Sequence, residues 1–529
     1  MLFTSGIFLL FLVAVFVVYY LIPKRFQWML MLAANAFFCA YAGWQGCVYI
    51  SVTICTTYAI ALRMETLRIK RERYFADNKA SLSPDERKAY KAATKAKTRG
   101  WLIVCLLINF GILAVLKYAN FAITLVSPLF TAADSPSVYM DLLLPMGISF
   151  YTFQTMGYII DIHRGKYPAQ RNIAKFALFV SFFPLLVQGP ITRYDELGST
   201  LYEPHNFDKK QVSFGLQRIL WGYFKKVVIA DRILVAVTAL IKDAAAYQGV
   251  FVVCLMVFYA VELYADFTGG IDITIGIAQV LGIKVQENFL RPYFSKNIAE
   301  YWRRWHISLS SWFREYMFYP ISASRPMLEL SKKARAKLGN GFGKRVSVYV
   351  ATIVVWFVTG LWHGAAWNFV VWGVLTGLII IISQELSPLY EKFHSRFPKL
   401  ADTFGYRLFQ VVRTFFLLSS LRILDCYRDV PMSFNMFFSI FTNWNWGQLF
   451  SGALLKLGLS AWDYIVVLFG TAILIAVSLI QRRGSVREQL SRNTYALRYG
   501  LIAVLLLALL VFGAYGIGYD SSQFIYNQF

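Results

Sequence analysis

Long apolar runs separated by short, mostly basic connections constrain this chain more than any other feature. The runs lie at 3–22, 26–42, 44–62, 101–116, 142–162, 174–190, 230–241, 249–283, 346–362, 365–383, 407–424, 464–480 and 499–518. A hydrocarbon core of ~30 Å is crossed by about 20 apolar helical residues. Inside it only helices and closed barrels satisfy their own backbone. The run lengths predict an all-α polytopic membrane protein with about eleven transmembrane helices, give or take two. Two runs fit poorly. Residues 230–241 are too short to cross alone. Residues 249–283 are too long for one span and carry Gly269 and Gly270 mid-run, so a helix broken at those glycines, re-entrant and lining a cavity, is expected there. Composition agrees: only 16% of residues are charged, against about 25% in soluble domains. That excludes a disordered chain, a collagen-like repeat or a soluble nucleic-acid-binding domain. The whole chain, 1–529, reads as a single membrane-embedded domain.

The net charge of +24, from 53 Lys and Arg against 29 Asp and Glu, would suggest nucleic acid in a soluble protein. In a membrane protein it marks loops held on the cytoplasmic face beside anionic lipid. Membrane lipids, and no nucleic acid, are therefore the expected partners. Residues 63–99 carry twelve Lys and Arg against five acids, 325–345 seven against one, and 482–498 five against one. All three segments are assigned to the cytoplasm, 63–99 as a helical hairpin around Ser83-Pro84. Both termini, including the tail 519–529, then lie outside. The first run reads as an uncleaved span, and neither end carries a lipidation motif. The six cysteines contain no C-x-x-C pair, so neither a zinc knuckle nor a disulfide framework is indicated, and no metal is expected.

Segment 284–324 is too polar to span and too aromatic for an ordinary loop. Trp302, Trp305, Leu309, Trp312, Phe313 and Tyr316 recur at helical spacing with Arg303, Arg304, Arg314 and Glu315 between them. The pattern predicts interfacial helices, with 284–345 on the cytoplasmic side. A plain interfacial anchor explains it as well as a functional site does.

Of five histidines, two have unusual settings. His363 lies in TGLWHGAAWNFVVWG between two apolar runs. As one helix, 346–383 would measure ~57 Å, so the chain must break, and Gly360 to Gly364 is the natural place. An ionisable side chain at such a junction is a functional hypothesis by default; the alternative is an imidazole satisfied by a nearby carbonyl. His306 follows Trp305 on the aromatic segment, where an imidazole can serve as base, hydrogen-bond donor or headgroup contact. His163, His205 and His394 read as structural. Glu262, Asp266 and Asp272 in VELYADFTGGIDITIG need partners in an apolar run; nearby Arg or Lys, such as Arg291 or Arg304, are candidates, and a structural ion pair is the alternative to a functional role. Standard catalytic patterns are missing. There is no G-x-S-x-G or H-E-x-x-H, and GNGFGK at 339–344 is one residue short of a phosphate loop, with Arg345 where Ser or Thr would hold magnesium. Four residues separate His363 from Asn368, where the soluble glycerolipid acyltransferase pattern has Asp.

The sequence also resembles the membrane-bound O-acyltransferase (MBOAT) family, and more narrowly its bacterial branch that O-acetylates alginate, peptidoglycan and other surface polymers. The teichoic acid D-alanyl transferase is a cousin. The resemblance covers about 140–430 and rests on LPMGISFYTFQTMGYIIDIHRG, LFVSFFPLLVQGPITRYDEL, GLQRILWGYFKKVVIADRI, YADFTGGIDITIGIAQVLGI, ENFLRPYFSKNIAEYWRRWHISLSSWFREYMFYPI and GLWHGAAWNFVVWG, in that order. It implies that His363 is the family's near-invariant histidine and His306 its second. It also implies an acyl tunnel through the membrane. The tail SSQFIYNQF is similar to an aromatic C-terminal motif with a central tyrosine, found in some members and in a partner peptide of D-alanylation. Tyr526 takes that position as an acyl carrier, unless the tail is simply frayed.

These readings together imply an O-acyltransferase of the bacterial cytoplasmic membrane. It would move an acyl group, acetyl in the first instance, from a cytoplasmic donor to hydroxyls of an extracellular polysaccharide. The donor would be acetyl-CoA or an acyl carrier protein thioester, and an extracellular SGNH-type transferase or esterase would be the partner. His363 would act as general base or position the hydroxyl, and His306 would support the donor or the acyl carbonyl. Arg303, Arg304, Lys225 and Lys226 would neutralise donor phosphates. Trp305, Trp362, Asn368 and Asp266 complete the expected substrate-binding set. A D-alanyl transferase is the alternative within the family. A transporter or flippase using the charged stretch 262–272 is the alternative of another class.

Overall fold

Helix follows helix from Gly6 to Phe512, and no strand occurs among the described residues. The computed structural model describes residues 3–79, 81–127, 140 and 144–515. Seven helices are long and apolar enough to cross a membrane: Trp44–Asp77, Pro84–Val126, Val250–Val280, Val346–His363, Trp367–Glu385, Ala461–Arg483 and Tyr495–Phe512. Gly6–Leu21, Ile173–Gln188 and Val430–Thr442 are shorter apolar helices. The protein is an all-α, multi-pass membrane protein, as the run lengths predict.

The expected hairpin within 63–99 forms from the polar ends of two of these helices, Trp44–Asp77 and Pro84–Val126. Its turn is written locally. Ser83 Oγ accepts the Glu86 backbone N–H while the Glu86 carboxylate accepts the Ser83 N–H at 2.9 Å, and Pro84 fills the first helical position. This is a capping box, which satisfies two otherwise orphaned donors. Tyr74 and Tyr90 stack across the arms at 4.5 Å.

The described chain forms two compact units, 1–212 with 278–286 and 213–277 with 287–529. In the first, the buried Asn35 joins two helices that part at Phe182. Its Nδ2 donates to Ser181 Oγ at 3.3 Å and its Oδ1 accepts the Phe183 N–H at 3.0 Å. Glu65, also buried, accepts the Ala169 N–H at 2.9 Å.

The second unit holds most of the candidate chemistry. Its first helix, Lys209–Tyr223, widens into a π-helical stretch over Phe224–Ala230 and continues as Asp231–Lys242. The short run 230–241 is therefore the end of a longer rod. Gly269 and Gly270 do not break their helix; Val250–Val280 is continuous. The glycines serve packing instead. A Cβ on Gly269 would lie 2.9 Å from the Gly222 carbonyl oxygen, and one on Gly276 would lie 2.9 Å from that of Gly215. Small residues at these positions let two backbones approach, as is usual between membrane helices.

The expected break beside His363 is present. Val346–His363 ends there and Trp367–Glu385 begins four residues later. The two helices close on each other at glycines: a Cβ on Gly360 would strike the Phe369 carbonyl, and one on Gly373 the Trp356 carbonyl. Gly373→Ala is expected to destabilise the protein by about 1–3 kcal/mol, the usual cost of overpacking. Gly100→Ala, with nothing within 4 Å of its new Cβ, is expected to gain about 0.4–1 kcal/mol. Thermal midpoints of the two detergent-purified variants should move in opposite directions.

Candidate active site

The segment that looked like one interfacial helix is two, Ile298–Arg304 and Ile307–Phe313, joined at Trp305 and His306. His306 takes a left-handed backbone, φ 46° and ψ 56°, rare for a residue with a Cβ. The joint is held by a neighbouring extended strand of chain. Leu290 N–H donates to the Arg304 carbonyl at 2.9 Å and Ile307 N–H to the Asn288 carbonyl at 3.0 Å. The aromatic stripe faces protein: Trp305, Leu309, Trp312, Phe313 and Tyr316 are all buried. A stripe of this kind packs a core as readily as it anchors to lipid.

Asn288, fully buried, fixes the state of His306. Its Oδ1 accepts the Ser308 N–H at 2.9 Å, so its Nδ2 faces the His306 Nδ1 at 3.4 Å. An amide N–H there requires Nδ1 to accept, which places the imidazole hydrogen on Nε2. Burial pulls the imidazole down to about 3, far below the ordinary 6.5. His306 is therefore neutral, with an N–H to offer.

His363 is the last residue of its helix and is half-buried. The Trp362 ring separates the two imidazoles, 5.9 Å from His306 and 5.0 Å from His363. Phe267 packs on His306 at 5.1 Å, and Trp372 packs edge-on against His363 at 4.8 Å. Thus His306, His363, Trp305 and Trp362 come together as one aromatic-lined site. Asn368 is buried just beyond the break, and its Nδ2 donates to the Leu424 carbonyl at 3.1 Å.

The remaining candidates form a second, ionic group. Lys226 Nζ lies 2.7 Å from Asp231 and 2.6 Å from Asp266, all three deeply buried. Lys225 Nζ lies 2.6 Å from Asp272 and donates to Thr268 at 2.7 Å. Arg218 bonds Asp272 at 2.8 Å and grips both Glu287 oxygens at 2.5 Å. Asp266 and Asp272 are thus answered by nearby Lys and Arg, as expected, but by Lys225, Lys226 and Arg218 and not by Arg291 or Arg304. The π-helical stretch explains this: two successive lysines there reach Asp266 and Asp272, about 9 Å apart along the facing helix.

A cleft opens beside this group. Arg218, Lys225, Asp272, Glu287 and Arg291 line it together with Phe289, which also lies 6.4 Å from the His306 ring. Arg304 pairs with Glu300 at 2.5 Å and donates to the Arg291 carbonyl, while Arg303 is exposed. Partial burial, then the guanidiniums of Arg304 and Arg482, pull Arg291 below its ordinary value. Cationic charge is therefore concentrated at this edge.

Five contributors escaped the sequence reading. Asn288 sits in a polar stretch with nothing to mark it. Arg218 and Glu287 are far apart in sequence. Arg422 and Asp425, three residues apart at the end of an apolar run, were a visible signal: a charged pair placed where apolar residues are the rule. Tyr526 lies outside the described residues.

The fold and the paired histidines define a polytopic membrane protein with a buried, aromatic-lined site at which two imidazoles meet. The model of the membrane-bound O-acyltransferase family matches residues 169–335. A probable alginate O-acetylase of Azotobacter vinelandii is 33% identical over 394 residues, 73% of this chain and 69% of that protein. A peptidoglycan O-acetyltransferase of Helicobacter pylori is 30% identical, covering 64% and 66%. A teichoic acid D-alanyltransferase of Streptococcus thermophilus is 28% identical, covering 49% and 62%. The chain belongs to the membrane-bound O-acyltransferase family and is an acyltransferase.

The His306 environment has a measurable consequence. Between pH 6.5 and about 3 the unfolded chain binds a proton at this position that the folded chain refuses, so this residue makes stability fall as pH falls through that window. From pH 7 to pH 5 the thermal midpoint of the wild-type protein should therefore drop further than that of His306→Asn.

Proposed function

We propose that this chain moves an acyl group, acetyl first among candidates, from a cytoplasmic thioester donor to hydroxyls of an extracellular polysaccharide. The observation that carries the reading is the meeting of His306 and His363 across Trp362. The half-buried His363 takes the proton from the attacking hydroxyl, since oxygen nucleophiles need proton removal near neutral pH, and returns it to the thiolate released as the thioester C–S bond breaks. Neutral His306 offers its Nε2 hydrogen to the acyl carbonyl oxygen as charge develops there. Trp305, Trp362 and the neighbouring rings exclude water, so that transfer outruns hydrolysis. The acetyl assignment and the polysaccharide acceptor draw on the names of the alginate and peptidoglycan relatives.

The donor enters through the cleft bounded by Arg291 and Phe289, with its phosphates at Arg291, Arg303, Arg304 and Arg482. Lys225 and Lys226 hold the cleft wall through Asp272, Asp266 and Asp231, and so act on the donor through the shape of the site. The basic segments 325–345 and 482–498 support an entrance on the cytoplasmic side of the bacterial cytoplasmic membrane.

Tyr526 carries the acyl group outward in this reading, to an SGNH-type partner or to the polymer itself. The root of its tail is well held: Ala514 N–H donates to the Val227 carbonyl at 2.9 Å, and Arg232 donates to the Phe512 carbonyl at 2.6 Å. From Tyr515 the chain reaches at most ~35–40 Å by position 526, enough to return to a vestibule over the site. A phenol with an ordinary pKa near 10 needs a base, and His363 supplies one.

His363→Ala should lower acyl transfer by at least about 10²-fold while expression and membrane insertion stay normal; wild-type turnover in the purified variant would remove His363 from the chemistry. Tyr526→Phe should block polymer acylation and leave donor binding unchanged. Normal polymer acylation by that variant would reduce the tail to a docking element. Counterflow of labelled substrate in proteoliposomes without acyl transfer would favour a transporter over an enzyme of this kind.

A further inference from the structure

The histidine-bearing pieces come from different parts of the chain, yet they meet around one charged side chain to which nothing above gives a role. Arg422 follows the helix Phe404–Leu421 and leads into the short helix Ile423–Tyr427. Its guanidinium lies over the Trp372 ring at 4.8 Å and the Trp305 ring at 5.9 Å. Trp372 is the residue packed edge-on against His363 at 4.8 Å, and Trp305 immediately precedes His306. Tyr301, hydrogen-bonded to Arg422, stacks on Trp305 at 5.5 Å and 16°. Asp425 accepts from Arg422 Nη1 at 2.6 Å and fixes its plane. The same turn supplies the Leu424 carbonyl that receives Asn368 Nδ2.

We propose that Arg422, anchored by Asp425, is a positioning residue that sets the distance and facing of His306 and His363 by holding Trp305 and Trp372 at once. Burying an ion pair is costly, and a well-packed apolar residue is often at least as stabilising. A packing role alone therefore does not account for it. A guanidinium offers what an aliphatic chain does not: a rigid plane attracted to the faces of two indoles, oriented by a carboxylate in its own turn. Lysine keeps the charge but loses the plane. Methionine keeps the length but loses both.

This proposal rests on the reading of His306 and His363 as the working pair, and the experiment separates the two. Arg422→Lys, Arg422→Met, Asp425→Asn and His363→Ala are prepared as full-length protein in proteoliposomes. Turnover is followed with acetyl-CoA as the probe, and histidine accessibility is followed by carbethoxylation with diethyl pyrocarbonate, read by mass spectrometry. For Arg422→Met, kcat per folded molecule is expected to fall by about 10²-fold, the scale of an ångström's misplacement, with the donor KM within twofold of wild type. The buried His306 becomes modifiable in that variant. Arg422→Lys and Asp425→Asn fall between Arg422→Met and wild type on both measures, which a simple loss of folded protein would not produce. Wild-type kcat in Arg422→Met with His306 still protected overturns the proposal. Full turnover in His363→Ala overturns the catalytic reading instead, and the accessibility of His306 in the Arg422 variants then decides positioning by itself.

Discussion

Between His363 and Trp367 the chain leaves one apolar helix and enters another, and the groups released by that break must be satisfied by protein. The Gly364 N–H still reaches the Gly360 carbonyl at 3.3 Å, so the first helix is capped by its own last turn. Gly360 and Gly373 then let the second helix fold back at backbone contact. This closure aligns Trp356 and Trp372 on one side, where both meet Trp302, and commits Asn368 to the Leu424 carbonyl. The rest of the site is built on that hairpin. His363 is half open because it is the terminal residue of a helix whose continuation has been folded away.

The two imidazoles face different physics although one indole separates them. His306 is buried, held neutral by desolvation, and placed by a left-handed backbone that costs about 1–2 kcal/mol. Strain of this kind persists only where the surroundings over-determine it, and here the Leu290 and Ile307 backbone bonds do so on either side of the joint. His363 has regular helical geometry and access. In the proposed reading, a pair so divided supplies one buried neutral imidazole and one more accessible imidazole, a division suited to acyl transfer to a hydroxyl.

How much of this was legible in the sequence depended on range. Local rules worked. The helix break at Gly360 to Gly364, the Ser83-Pro84 hairpin and the prominence of His306 and His363 all follow from helix length, capping chemistry and the rarity of histidine in apolar runs. Rules that ignore a neighbouring helix failed. Gly269 and Gly270 looked like a break because helix propensity penalises glycine. In the fold Gly269 faces Lys209–Tyr223, where a Cβ would crowd the Gly222 carbonyl. That Asp266 and Asp272 would find nearby Lys or Arg was legible, but not which ones, for a related reason: a π-helical widening at Phe224–Ala230, invisible to a 3.6-residue period, brings Lys225 and Lys226 to them. Arg422 and Asp425 were readable as a charged pair in an apolar run, but their importance lies in two indoles that are distant in sequence.

The ionic groups make a further distinction that composition hides. A net charge of +24 treats all cations alike, yet they divide by what surrounds them. Lys226 is enclosed by two carboxylates, and Lys225 and Arg218 share Asp272, so their fields are largely spent inside the protein. Buried charges survive only with such partners, and their effect is to lock the helix Val250–Val280 against the rod that begins at Lys209. Arg291 is different. Burial and then the guanidiniums of Arg304 and Arg482, of its own sign, hold it below its ordinary value, although Arg304 is itself paired with Glu300. A cation so placed gains more from an arriving anion than one already enclosed by carboxylates. On this physical ground the proposed donor would set its phosphates nearer Arg291 than the buried lysines, which form the wall beside the cleft.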